Sequence, residues 1–387
     1  VAELYQVAAY YFPQYHPDPR NDRRHGKNWT EWELVRRAEP RFPGHQQPKL
    51  PAWGFQDESD PDVMARKIAA AADNGLDAFI FDWYWYDDGP FLNGALDRGF
   101  LGAANNDRLR FALMWANHDW INLFPAKRGV PGHLFAPGAV ARASFDAAAD
   151  YIIERYLRHP SYWRLDGRAY LSIYELARMV GGLGGVGEAR AAMESLRAKA
   201  RAAGVGELHL NAVMWGVQIL PSELTVRDPN ALLDALGFDS VTSYIWIHHL
   251  PMDKQLTVSY AETADKAAKQ WVEFSQQYSL PYFPNVTMGW DPSPRTAQSD
   301  EYGPFGYPYT SILTGNTSLE FRKALEQARA FLDTQPANRR VLTINAWNEW
   351  TEGSYLEPDT LYGMAYLEAI RDVFGRISLT PPTAQGR

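Results

Sequence analysis

A single-domain (β/α)8 barrel is the fold class this sequence predicts, and three observations predict it. Eight short, β-prone apolar runs alternate with segments of helical character. Carboxylates, Trp, Tyr, Asn and His cluster directly after the C-terminal ends of those runs, where the loops of such a barrel build its site. No glycine-rich first turn follows a strand, which weighs against a doubly wound sheet, and the run from Gly181 to Gly187 lacks the Lys-Ser/Thr of a phosphate loop. No linker or shift in composition divides the 387 residues, so one domain is expected over 1–387.

The first predicted strand, Gln6 to Tyr11, is ended by Pro13 and Pro17. The stretch 18–57 is too long for an ordinary connection, and its Trp and Tyr content suggests an ordered wall over the active-site face. Asp60-Pro61 reads as an N-cap followed by Pro in the first helical turn, and Gly75 stops that helix. The second strand, Ala78 to Phe81, leads into Asp82-Trp83-Tyr84-Trp85-Tyr86. The third, Arg110 to Met114, leads into Trp115-Ala116-Asn117-His118-Asp119-Trp120. An Ala-rich helix from Ala143 precedes the fourth strand, Ala169 to Ile173, which ends in Tyr174-Glu175.

A helix from Glu188, stopped by Gly204, leads to the fifth strand, Glu207 to Val213. After a helical stretch from Ala231, the sixth strand, Asp239 to Ser243, is followed by Tyr244, Trp246, His248 and His249. A long helix from Tyr260 precedes the seventh strand, Tyr282 to Val286, with Trp290 and Asp291 beyond it. The helix from Ser318 then leads to the eighth strand at Val341, which runs into Asn345, Trp347, Asn348, Glu349, Trp350 and Glu352. A helix to Phe374 closes the barrel, and 376–387 is expected to be a flexible tail.

Composition excludes some functions. A net charge of −8 is the wrong sign for neutralising phosphates, so no nucleic-acid partner is expected. No apolar run approaches the roughly 18–20 residues needed to span a bilayer. Cysteine is absent, which removes thiolate nucleophiles and thiolate metal sites. His248 and His249 are adjacent and would point opposite ways on an extended segment, and no H-x-E or H-x-x-x-H spacing occurs, so no metal or other cofactor is expected. A G-x-S-x-G elbow is also absent. The sequence begins at Val1 rather than Met, compatible with a removed signal peptide, so a secreted or periplasmic monomer is expected ahead of a cytoplasmic one.

What remains is carbohydrate chemistry. Glycoside hydrolysis needs one carboxyl to protonate the leaving oxygen and a second group to assist at the anomeric carbon. Glu349 and Glu352, three residues apart among indole rings, are the candidate catalytic pair. Asp82 and Glu175 are further candidates, whereas Glu31, Asp119 and Asp291 read more readily as salt-bridge or capping residues. Aromatic rings supply apolar faces together with N–H and O–H groups, as a sugar requires. Tyr11, Trp29, Trp83, Trp85, Trp115, Trp120, Tyr244, Trp246, Trp290 and Trp350 are therefore expected as subsite walls, with His16, Asn117, His118 and Asn348 as hydrogen-bonding residues.

The stretches YYFPQYHPDPRND, NWTEWELVRRAEPRFPGHQQPKLP, WANHDW and NAWNEWTEGSYLEPD resemble the glycoside hydrolase family 99-like proteins of the WbsX type. Their better understood relatives are endo-α-mannosidases and endo-α-mannanases with a (β/α)8 barrel, whose N-E-W-x-E-G signature falls here on Asn348 to Gly353. The resemblance implies a retaining, endo-acting hydrolase of a polysaccharide or oligosaccharide, with α-manno configuration. Glu349 would be the base on the sugar 2-hydroxyl, giving a 1,2-anhydro sugar, and Glu352 the general acid and then base. Two departures stand out: Asn117-His118-Asp119-Trp120 in place of Asn-Glu-Asn-Trp, and Tyr174-Glu175 in place of Tyr-Arg. With Glu175 as acid/base and Glu349 as direct nucleophile, a covalent route is the alternative. A glycosyltransferase of polysaccharide assembly and a non-catalytic carbohydrate-binding barrel remain the other readings.

Overall fold

The computed structural model describes residues 5–220, 223–252 and 254–375, so the tail expected over 376–387 lies outside the described residues. Eight parallel strands form a barrel: β1 (Gln6–Tyr11), β2 (Ala78–Tyr86), β3 (Arg110–Trp115), β4 (Arg168–Ile173), β5 (Leu208–Val213), β6 (Ser240–Thr242), β7 (Tyr282–Phe283 and Asn285–Thr287) and β8 (Val341–Asn345). Sequential strands pair from β1 through to β6, and β8 returns to lie beside β1, with Ala8 opposite both Ala78 and Thr343. Pro284, which has no N–H to give, splits β7. The first piece of β7 pairs with β6 and the second with β8, and the Pro284 carbonyl accepts from Thr343 N at 3.0 Å. The ring therefore closes across the break.

Helices α1 (Pro61–Asp73), α2 (Arg142–Ile152), α3 (Val186–Ala202), α4 (Pro229–Leu236), α5 (Tyr260–Gln277), α6 (Ser318–Asp333) and α7 (Ala365–Phe374) form the outer layer. Their starts follow local chemistry. Asp60 caps α1 by accepting from Asp62 N at 2.8 Å, ahead of Pro61. Ser259 and Thr317 cap α5 and α6 by accepting from the N–H of Glu262 and Glu320, the Ser/Thr-x-x-Glu spacing of a capping box. Between β2 and β3, in place of a full helix, stand a short strand, Gly89–Phe91, and a π-helical turn, Ala95–Phe100.

The barrel interior holds a polar layer. Ser172, Asn211 and Ser240 face one another in register and are linked by hydrogen bonds of 2.9 and 2.8 Å. Such a layer is tolerable because its members satisfy one another. Above it, at the C-terminal ends of the strands, the long segment 18–57 is ordered and contains two short helices, Pro19–His25 and Trp32–Arg37. Trp32 lies against Tyr15 with ring centroids 4.1 Å apart and donates to Gln56 O at 2.8 Å, while His45 and Gln47 reach Asp291 at 2.8 and 2.7 Å. The segment is thereby tied to the loop after β7. Among the described residues no helix is long and apolar enough to cross a membrane.

Candidate active site

The chain leaves β8 in a tight fold that sends alternate side chains to opposite sides. Asn348 donates to Phe12 O and accepts from Phe12 N, each at 2.8 Å, clipping the end of β8 to the end of β1. Trp350 stacks on Tyr355 at 3.7 Å, and the indoles of Trp347 and Trp350 donate to Glu357 at 3.0 and 2.7 Å. Behind them the buried Lys67 bridges Glu58 and Glu357 at 2.6 and 2.7 Å. Glu349 stands at the N-cap and Glu352 at the end of a 3-10 turn, Trp350–Glu352, whose three residues per turn bring both carboxyls to one side. Gly353 follows with φ of 64°, and a Cβ there would lie 2.7 Å from Asp291 Cβ, so only glycine fits.

That side faces a cleft at the strand ends. Around Glu349 the Tyr244 hydroxyl contacts Glu349 Oε1 and lies 2.9 Å from Asp82 Oδ2. A phenol has one proton, so it donates to one of these carboxyls, and the other contact requires a proton on a carboxyl. The electrostatics agree. Burial, then the negative charge of Glu352, push Glu349 well above the usual carboxylate range, and burial does the same to Asp82. Glu352 is held by donors instead: the Arg295 guanidinium contacts its Oε1, and the Tyr307 hydroxyl donates to the same oxygen at 2.7 Å. Arg295 also reaches Glu31 at 3.2 Å, and Thr351 donates to that carboxylate. The free site thus holds a proton around Glu349 and a guanidinium against Glu352.

Of the residues picked from the sequence, Asp82, His118, Trp120, Tyr244, Trp290, Glu349 and Glu352 line the cleft. The others lie elsewhere. β2 runs on to Tyr86, so its period of two puts Asp82 and Tyr84 inside and turns Trp83 and Trp85 out toward α2, where Trp85 donates to Ser144 at 3.1 Å. Trp115 likewise packs outward on Phe145, at 5.8 Å. Tyr11 points away from the cleft to Glu58 at 2.8 Å. Trp246 donates to Asn285 O at 2.9 Å, and Trp29 stacks on His25 at 4.1 Å behind the lining residue Phe124. Asn348 and Trp350 brace the turn from behind, as described. His16 is buried against Gly94, outside the cleft, and burial lowers its pKa to about 4.

Glu175 and Asn117 are also corrected to structural positions. The Asn117 amide pins the Glu175 backbone through bonds of 2.9 and 2.8 Å. The Glu175 carboxylate accepts from Arg178 Nε at 3.1 Å and Leu224 N at 2.9 Å, fully buried and off the cleft. Burial raises it to about 7 despite Arg178. At or below that pH a neutral amide is a close mimic, so Glu175→Gln is expected to cost less than the roughly 10²-fold loss that removing an acid–base group brings. Steady-state turnover checks this; a larger loss with folding intact would restore Glu175 to the chemistry.

Among the polar residues at or beside the cleft, Tyr84, Arg295, Tyr307 and Glu223 were not picked out in the sequence. Tyr84 was legible from the strand period. Arg295 and Tyr307 come from the long connection after β7, where nothing in the spacing marks them. Glu223, buried, accepts from the cleft-lining Tyr174 at 2.6 Å, with the His248 ring 3.4 Å away. No group of three or more His, Asp or Glu that could hold a metal occurs among the described residues.

Comparison with known proteins identifies the family and the fold. Residues 7–370 match the family model described as "Glycosyltransferase WbsX". WxcX of Xanthomonas campestris pv. campestris is 30% identical over 383 residues, which cover 96% of this chain and 50% of WxcX, so the chain spans about half the length of that relative. A solved structure described as a glycoside hydrolase-like protein superposes with a TM-score of 0.62 at 15% identity, covering 97% of this chain and 95% of the other. The GH99 endo-alpha-mannosidase from Bacteroides thetaiotaomicron superposes with a TM-score of 0.54 at 14% identity, over 96% of each chain. The fold is that of the barrel glycoside hydrolases.

Proposed function

The chain belongs to the WbsX family, and we propose that it is a retaining, endo-acting glycoside hydrolase of a polysaccharide or oligosaccharide in which Glu349 and Glu352 are the working carboxyls. The observation that carries this reading is the pair itself. Two neighbouring carboxyls lie on the floor of a cleft at the strand ends, one carrying a raised pKa and the other gripped by Arg295 and Tyr307. One proton shared by two carboxyls is the inventory that glycoside hydrolysis needs, one acid and one base.

In the proposed reaction the sugar 2-hydroxyl gives its proton to Glu349 as O2 bonds to the anomeric carbon, and the proton already on the pair passes to Glu352. From there it goes to the leaving oxygen as the glycosidic bond breaks. Water then attacks the anomeric carbon, Glu352 takes its proton, the bond to O2 breaks and Glu349 returns the proton to O2. An internal oxygen nucleophile has a high effective molarity, and the geometry demands a 2-hydroxyl trans to the leaving group, as in an α-manno sugar. Asp82 and Tyr244 hold the Glu349 side, and Arg295 and Tyr307 steady the charge on Glu352.

Incubation with a panel of α-manno-configured polysaccharides, with the product anomer followed by NMR, tests the proposal. First-formed product of inverted configuration would sink the retaining route. The division of labour is read from an activated leaving group: a 2,4-dinitrophenyl glycoside should rescue Glu352→Gln and not Glu349→Gln, and the opposite pattern would exchange the roles. The family description favours a second reading, transfer to an acceptor sugar. Transfer from a nucleotide sugar in the absence of any hydrolysis would establish it over the first.

A further inference from the structure

The cleft is furnished unevenly. Ile121 and Leu123 from the loop after β3, Ile219 and Leu220 from the loop after β5, and Ile247 after β6 all line it. The first four are only partly buried, so branched apolar surface is left facing the space a ligand would fill. Planar rings suit the faces of sugars, whereas branched aliphatic side chains suit methyl groups.

Several polar groups of the lining are committed to the protein. The Tyr174 hydroxyl donates to Glu223 at 2.6 Å, and Trp290 Nε1 donates to Thr310 at 2.9 Å. Asp119 Oδ1 accepts from Arg178 at 2.9 Å and from Gly138 N at 2.8 Å. His118 Nδ1 lies 2.9 Å from the Asp119 carbonyl, to which it must donate, leaving its Nε2 as an acceptor. Buried lining atoms with no partner are Asp82 Oδ1, Glu349 Oε2, Arg295 Nε, Trp120 Nε1 and His248 Nδ1, and the first three belong to the reacting end. A hydroxyl turned toward the aliphatic side chains finds no partner on them, and each one left unpaired on burial counts against binding.

We infer that the cleft takes a sugar bearing a methyl group where a common hexose bears a hydroxyl or hydroxymethyl: the C6 methyl of a 6-deoxy sugar or the methyl of an acetyl ester, seated against Leu123 and Ile219. The inference deepens the hydrolase reading and rests on it for the choice of sugar. Its own readout is binding, which does not require turnover.

The probes are two matched pairs: 4-nitrophenyl α-D-mannopyranoside against its 6-deoxy counterpart, and an O-acetylated mannan oligosaccharide against the same material deacetylated. Dissociation constants are measured by NMR titration on the full chain carrying Glu352→Gln. The methyl-bearing member of one pair should bind roughly tenfold or more tightly, the discrimination that a hydrophobic pocket achieves, and the pair that responds identifies the source of the methyl. Leu123→Asn and Ile219→Asn, on partly exposed loop positions, should each collapse that ratio while leaving thermal unfolding unchanged. Equal affinities within both pairs, no binding of any member, or a ratio untouched by both wall variants would overturn the inference. A clear binding preference with no turnover by the unaltered chain would instead count against the hydrolase reading alone. Turnover without preference would remove the inference and keep the hydrolase.

Discussion

Replacing Glu349 by Gln is expected to lower turnover by roughly 10³-fold while making the folded chain more stable near neutral pH. The two effects share one cause. Burial and the charge of Glu352 raise Glu349 well above its unfolded value, and Oε2 has no partner. The sign follows from linkage. A group whose folded pKa is raised stabilises fully below its unfolded pKa, near 4.3 for Glu, and loses that contribution as pH rises through the folded value. Gln carries no charge to expel, so the variant escapes the penalty at pH 8 and gains nothing at pH 4. Relieving that penalty, together with an unsatisfied buried carboxyl oxygen, corresponds to a gain on the order of 1–3 kcal/mol. Denaturant titrations at both pH values measure it. A variant less stable than the parent at pH 8, or one that keeps a tenth of its turnover, would refute the assignment.

Arg295→Met should do the reverse and unsettle the fold. Arg295 is buried between Glu31 and Glu352, and its guanidinium lies 5.2 Å from the Phe12 ring and 5.4 Å from the Phe124 ring. Taking one partner out of a buried ion cluster strands the rest, at a cost of about 3–5 kcal/mol. The loss should be larger at pH 8 than at pH 5, because burial already raises Glu31 and, without the opposing guanidinium, its stranded carboxyl can take up a proton in acid. Lys at 295 supplies the charge without the planar fork that grips two carboxylates at once, so Arg295→Lys should recover part of the stability and little of the turnover. Adding Glu31→Gln to Arg295→Met should restore stability further. If Arg295→Met unfolds with the parent's free energy, the cluster is not a structural unit.

The barrel was legible because β-prone runs ending in polar clusters recur eight times, and capping chemistry at Asp60, Ser259 and Thr317 marks helix starts locally. The ends of strands were harder. Ending the second strand at Phe81 hides the alternation that continues to Tyr86, and the same step misdirects Trp83 and Trp85 into the cleft. Tyr11 and Trp115 fail for the same reason, each one residue past an inward-facing neighbour. The helix Leu176–Leu183 was masked by its glycines. At the site, Glu349 and Glu352 were readable because they share one turn with the strand that delivers them. Arg295, Tyr307 and Glu223 were not, because their partners lie 45 or more residues away and only the closed ring brings them together.

The place of β8 in the ring carries a consequence for how the protein is made. It lies between β1 and the second piece of β7, so a nascent chain that has not reached residue 341 keeps both of those edges open. Open parallel edges are templates for pairing with other chains, and the interval before closure is when this protein is most exposed to aggregation. The segment that ends that interval also delivers Glu349 and Glu352 and the Asn348 clip onto Phe12. A partly synthesised barrel therefore has no assembled carboxyl pair, and the vulnerable stage of biosynthesis ends with the same strand that completes the proposed site.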